Sequence, residues 1–302
     1  MPPTGSPTPQ RVGHPARSSL PAPYLVWRRL ESRIRTFVDM TTATLDRTRA
    51  EARFAAMGTA AHVLVDAAAP ENLLALAVER IEMLEQSWSR FRADSALSRL
   101  NDQAGSGPVF VGEDLLTLVL RMREAWTATD GLFDPTVLAS MQAHGYDTDF
   151  AVVAARAAVD VVDVQLAATP GMSSVFVDAV DGTVSLPAGL GLDPGAIGKG
   201  LAADIVADDL LAAGATAVLV NLGGDIALRG TPAEGGWAIA VDDERLPREQ
   251  ADRTHTVIEL DAVRAGIATS TTLKRRWAQG RRHHVIDPRT GGMSASPLVQ
   301  AT

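Results

Sequence analysis

The chain has 302 residues, 46% hydrophobic and 21% charged, with a formal net charge of -8 and no cysteine. That length suits one large or two modest globular domains, and the negative balance argues against nucleic acid as the partner, because a phosphate polymer would be repelled. The missing cysteines exclude disulfides, zinc-thiolate sites, thiol nucleophiles and lipid attachment at a cysteine.

Residues 1–23 are rich in Pro, Ser and Arg, and 24–52 form a loosely amphipathic, Arg-rich lead-in. Residues 1–52 are therefore expected to be a disordered or loosely helical extension, with Met40 a candidate translation start and the folded domain over 53–302. No stretch approaches the roughly 20 apolar residues of a membrane helix, and no apolar signal segment opens the chain. The expectation is a cytoplasmic protein without membrane insertion.

The segment AHVLV (61–65) predicts a strand. After Pro70, Leu74, Ala77, Ile81, Leu84, Trp88 and Phe91 recur in steps of three and four, which predicts a helix with one apolar stripe. A second helix is predicted over about 113–129, broken by Gly131 and Pro135. Mixed helix and strand character follows over 149–167, then a strand near SVFVDAV. A helix is predicted over about 199–213, with strands over 216–221, 237–242 and 254–260. Helices early and many strands late point to an α+β fold with antiparallel pairing.

The stretch LDPGAIGKGLAAD (192–204) places Lys199 at a helix start. It is not a P-loop: Asp193 holds the first Gly position and Gly200 the final hydroxyl position. Gly195, Gly198 and Gly200 also miss the dinucleotide-binding spacing, leaving a general anion site of helix N–H groups and a lysine. The six His residues show no H-E-x-x-H spacing, and G-x-S-x-G is absent. In VNLGGDIALRG, Asn221, Gly223, Gly224 and Asp225 fit either close approach to a ligand or a capped tight turn. In HHVIDPRTG, His284 and Asp287 border what reads as ordinary turn chemistry. The hydroxyls of Thr269 and Ser270 suit a phosphate or a flavin edge, and equally turn hydrogen bonds. LKRRWAQGRR suits a solvated hairpin or a phosphate clamp.

In their order these stretches resemble the ApbE family of FAD:protein FMN transferases. The matching segments are FAAMGT (54–59), SRFRADSALSRLN (89–101), FDPTV (133–137), LDPGAIGKGLAAD (192–204), VNLGGDIALRG (220–230), WAIAVDD (237–243), GIATSTT (266–272) and HHVIDPRTG (283–291). The resemblance implies a T-fold-like α+β architecture that binds FAD and Mg²⁺. It implies cleavage of the FAD pyrophosphate, passage of FMN to a Thr or Ser hydroxyl in an acceptor protein's Ser/Thr-Gly-Ala-Thr motif, and release of AMP. A hard, oxygen-ligated Mg²⁺ and a lysine suit that charge-neutralising task.

By the resemblance, Met57 packs against the flavin, Lys199 contacts the FAD phosphates, and the Ala196 carbonyl faces the metal. Asp204, Asn221, Gly223, Gly224 and Asp225 shape the FAD pocket, with Thr269 and Ser270 at its wall. His284 assists proton transfer, with Asp287 orienting that strand or the site. The family's side-chain metal ligands, an Asp and a Thr four residues later on one helix, are expected beyond Thr302. Thr271 and Lys274 to Arg276 depart from a family pattern of Gly and acidic residues, adding positive charge suited to FAD phosphates or an acidic acceptor. Two alternatives keep the same pocket: hydrolysis of FAD to FMN and AMP, and FAD binding without catalysis.

Overall fold

The apolar run AVLVNL is covered on both faces, so it occupies the centre of a sheet rather than an edge. The computed structural model describes residues 48–156, 167–233, 235–247, 250 and 252–302. Of the 1–52 extension, residues 1–47 lie outside that set, as does 157–166 from the segment of mixed character.

The first half comprises β1 (Thr48–Ala56), β2 (Thr59–Ala67), α1 (Pro70–Trp88), α2 (Ala96–Asp102), β3 (Val109–Phe110), α3 (Gly112–Ala128), α4 (Leu138–Ala143) and α5 (Phe150–Ala155). Two short strands, β4 (Phe176–Asp178) and β5 (Thr183–Ser185), precede α6 (Gly198–Ala212). The rest is mostly strand: β6 (Ala217–Leu222), β7 (Asp225–Gly230), β8 (Trp237–Asp242), β9 (Thr254–Leu260) and β10 (Arg264–Ala268). Four two-residue strands complete it: β11 (Ser270–Thr271), β12 (Arg276–Trp277), β13 (Arg282–His283) and β14 (Gln300–Ala301).

The main sheet is antiparallel in the order β1-β2-β6-β7-β10. Alternation along its central strand sends Val218, Val220 and Leu222 to a core shared with α1, α3 and α6. Ala217 and Leu219 point the other way, against Trp237 and Ile239 of the β8-β9 hairpin. Helix α1 starts with Pro70 at its first position and buries Leu73, Ala77, Ile81, Leu84 and Trp88 in that core. Helix α6 meets the sheet through Ala202, Ala203, Val206, Ala207 and Leu210, small residues that allow close approach.

Two of the predicted boundaries shift. The first strand begins at Thr48, upstream of the expected domain start at 53, and is tied to β2 by the Arg49–Asp66 ion pair at 2.8 Å. The α1 stripe begins at Leu73 rather than Leu74, and Phe91 lies past the helix end and is partly exposed.

What positions the site is the alignment of two tight turns at one end of the sheet. Met57 and Gly58 both have positive φ, 50° and 65°, and form the two-residue hairpin between β1 and β2. Gly223 and Gly224, at 68° and 101°, do the same between β6 and β7. The β2-β6 register pairs Ala61 with Leu222, so the turns lie side by side, and the Gly223 N–H donates to the Ala60 carbonyl at 3.0 Å. A Cβ on Gly223 would overlap the Thr59 side chain.

Candidate functional site

A closed ring of contacts can be traced through residues scattered from 57 to 275. Lys199, the second residue of α6, pairs with Asp225, the first residue of β7. Asp225 follows the Gly223–Gly224 turn, in which the Asn221 side-chain oxygen accepts from the Gly224 N–H at 2.8 Å. The Thr269 N–H reaches the Gly224 carbonyl at 3.2 Å from the end of β10. Gly223 abuts Thr59 and so the Met57–Gly58 turn, whose Met57 N–H donates to Glu85 of α1 at 2.7 Å.

Arg275 closes the ring. Its guanidinium donates to the Gly58 carbonyl at 3.0 Å and to the Tyr146 hydroxyl at 2.5 Å. The Tyr146 carbonyl accepts from Arg90 at 2.9 Å. Arg90 Nε lies 2.9 Å from Asp193 Oδ2 as an ion pair, angled so that no hydrogen bond forms to that oxygen. Both side chains are buried, and Arg90 also lies over the Phe91 and Tyr146 rings. Asp193 Oδ1 accepts from the Gly195 N–H at 2.6 Å, which shapes the turn leading back to Lys199.

That turn presents unused backbone groups. The Ala196 carbonyl accepts no hydrogen bond among the described residues, and Ala196 is exposed. The N–H groups of Lys199 and Gly200 likewise have no acceptor among them, because the bonds there run from Ile197 and Gly198 to Pro194 and from Leu201 to Ile197. Free amides at a helix start bind anions.

His284 belongs to the same neighbourhood. Strands β12 and β13 pair Arg276 with His283, and the same register carried one residue on sets Arg275 opposite His284. Its Nδ1 is buried without a partner among the described residues. Burial, then the positive charges of Arg275, His283 and Lys199, push the imidazole down to about 4, so it is neutral at physiological pH.

Asp204 and Asp287 stand apart from this ring. Asp204 is turned onto Arg229 at 2.6 Å, beside an Asp208–Arg229 contact at 2.5 Å. It belongs to a clamp between α6 and the far end of β7, which also includes the Arg264–Asp208 pair. Asp287 sits in a turn, where it accepts from the Arg289 N–H at 3.0 Å and pairs with its guanidinium at 2.7 Å. Ser270 is exposed on β11, paired with Ala301, while the Thr269 hydroxyl meets that of Thr302 at 3.1 Å. Sequence reasoning assigns no role to Arg90 or Tyr146, names Asp193 only as a mismatch to the P-loop pattern, and treats Arg275 only as one of three consecutive cations. Arg90 and Asp193 lie within matching segments, but their pairing spans about a hundred residues and leaves no local pattern.

An α+β fold with an antiparallel main sheet, and a ring of residues suited to an anion, define the class of protein. The ApbE family profile matches residues 57–302, and the chain belongs to that family. It is 31% identical over 231 residues to an FAD:protein FMN transferase of Rhodobacter capsulatus, covering 75% of this chain and 42% of that one. It is 29% identical over 228 residues to one of Vibrio cholerae, covering 74% and 65%. The chain thus spans less than two thirds of either relative. Among solved structures, the ApbE protein of Thermotoga maritima superposes with a TM-score of 0.70 at 26% identity, covering 84% of this chain and 80% of that one. The flavin transferase ApbE of Vibrio cholerae gives 0.68 at 26%, covering 84% and 81%. The α+β architecture expected from the sequence is the one found.

Proposed function

We propose that this protein transfers FMN from FAD to a Thr or Ser hydroxyl of an acceptor protein carrying a Ser/Thr-Gly-Ala-Thr motif, releasing AMP. The observation that carries the reading is the helix start at Lys199, with two N–H groups that have no acceptor among the described residues, inside a ring whose residues fall within the family match. In the reaction the acceptor oxygen forms a bond to the FMN phosphorus and the pyrophosphate bridge breaks. AMP leaves with the bridging electron pair, and the hydroxyl proton passes to a base.

In this reading Lys199 and the free amides of Lys199 and Gly200 offset phosphate charge. His284, neutral and with an unpartnered ring nitrogen, receives the acceptor's proton. Met57 supports the flavin ring, the glycine turn lets the dinucleotide approach the backbone, and Thr269 and Ser270 line one wall. Asp204 and Asp287, engaged with arginines, act on the shape of the fold rather than on FAD.

Magnesium dependence is part of the proposal. No group of three or more His, Asp or Glu side chains gathers as a metal cage among the described residues, and Ala196 offers one free carbonyl oxygen. That fits an ion shared with substrate phosphates, a usual arrangement for Mg²⁺, and such an ion neutralises charge on the phosphoryl oxygens when bound.

Mass spectrometry of an acceptor peptide incubated with the full natural protein, FAD and Mg²⁺ tests the reading. Expected are peptide carrying one FMN and an equal amount of AMP, both abolished by EDTA. FMN and AMP formed at the same rate without peptide would establish hydrolysis instead. FAD binding with neither product would leave a flavin-binding protein.

A further inference from the structure

We infer that Arg275 is a phosphate-binding residue of the flavin site, contacting the dinucleotide's pyrophosphate through the guanidinium edge that Gly58 and Tyr146 leave free. The inference rests on the flavin reading above and singles out one residue of the Lys274 to Arg276 run, whose charge the sequence suits equally to FAD phosphates or an acidic acceptor.

Three neighbouring cations separate cleanly. Lys274 is committed to Glu244 at 2.6 Å. Arg276 is exposed and donates to the Gly280 carbonyl at 3.0 and 2.6 Å. Arg275 alone of the three turns inward, held by a carbonyl and a hydroxyl, with no carboxylate partner among the described residues. Its backbone adopts φ of 48°, an uncommon conformation for a side chain of this size. The contacts to Gly58 and Tyr146 are to neutral oxygens and the Phe150 ring lies 5.8 Å away, so no anion among the described residues neutralises the charge.

The charge balance of the site requires such a residue. Lys199 is paired with Asp225, and Arg90 with Asp193, so each of those cations meets an anion already in place. Beside Lys199, whose charge Asp225 already partly offsets, the described residues of the ring offer a pyrophosphate the free amides of the helix start and Arg275. The Gly58 turn that Arg275 anchors lies beside the Gly223–Gly224 turn, which leads directly into Asp225, the partner of Lys199, so both cations border the same end of the sheet. A guanidinium with two N–H groups anchored and others open can fork onto phosphate oxygens without first ordering its long side chain.

The test is flavin-fluorescence titration of wild type, Arg275→Ala, Arg275→Lys and Arg276→Ala with FAD, FMN and riboflavin, which carry two, one and no phosphates. For Arg275→Ala the expected result is roughly tenfold to hundredfold weaker FAD binding. FMN affinity falls less and riboflavin affinity stays unchanged. Arg275→Lys should recover part of the loss at low salt, and Arg276→Ala should match wild type. Equal weakening of all three ligands would overturn the inference, since Arg275 would then only brace the Met57–Gly58 turn. Unchanged FAD affinity in both Arg275 variants, with their folding confirmed by thermal melts, would overturn it also. A wild-type protein that binds no flavin at all would defeat the flavin reading itself, before any variant is compared.

Discussion

His284 keeps one ring nitrogen buried and without a partner. Its pKa of about 4 in the folded protein, against an ordinary value near 6.5, means that between those pH values the unfolded chain takes up a proton the native one refuses. Stability from this residue is therefore complete above about pH 6.5 and lost as pH falls toward 4. His144 and His283, also depressed chiefly by burial, pull in the same direction. At ~1.4 kcal/mol per pKa unit, the His284 contribution is on the order of 3 to 4 kcal/mol. Urea melts from pH 7.5 to 4.5 should show this slope, and His284→Asn should flatten it. A variant with the wild-type slope would mean the ring is protonated in the native state. At this scale the sequence was only partly legible. The word HHVIDP shows two histidines and an aspartate; it does not show that one histidine faces Arg275 while Asp287 turns onto Arg289.

Glycines distinguish the elements that tolerate change from those that do not. Gly230 ends β7 at φ 67°, and a Cβ there would overlap the Thr216 carbonyl, a backbone atom that cannot swing aside. Gly230→Ala is expected to destabilise by roughly 2 to 4 kcal/mol. Gly200 lies in α6 with open space where its Cβ would be. Gly200→Ala should stabilise by roughly 0.5 to 1 kcal/mol. Paired chemical denaturation curves check both signs, and a destabilised Gly200→Ala would show that the start of α6 is not regular helix. Helices were the most legible elements, because α1 and α3 each carry an apolar stripe over many turns. The first strand was not, since TRAEARFAA alternates exposed Arg and Glu with Ala, and its pairing with β2 supplies what local hydrophobicity lacks.

Across the whole molecule the site depends on topology more than on any segment. The order β1-β2-β6-β7-β10 brings the Met57 and Gly223 turns and Thr269 to one sheet end, and α6 starts there. The arginine clamp of Arg229 with Asp204 and Asp208 fastens the same helix to the opposite end of β7. Motif order made the family readable, whereas the Arg90–Asp193 and Arg275–Tyr146 links join residues 103 and 129 positions apart and left no trace in local sequence. One consequence is measurable by hydrogen exchange. A ligand that binds only the assembled ring stabilises every segment forming it. FAD should therefore slow exchange together in 57–60, 193–200, 221–226 and 269–275. The separate β3-β5-β4 sheet, which exposes Phe110 and Phe176, should exchange at its ligand-free rate. Protection confined to 193–200 would reduce the site to one helix start, and the ring would then be scaffold rather than binding surface.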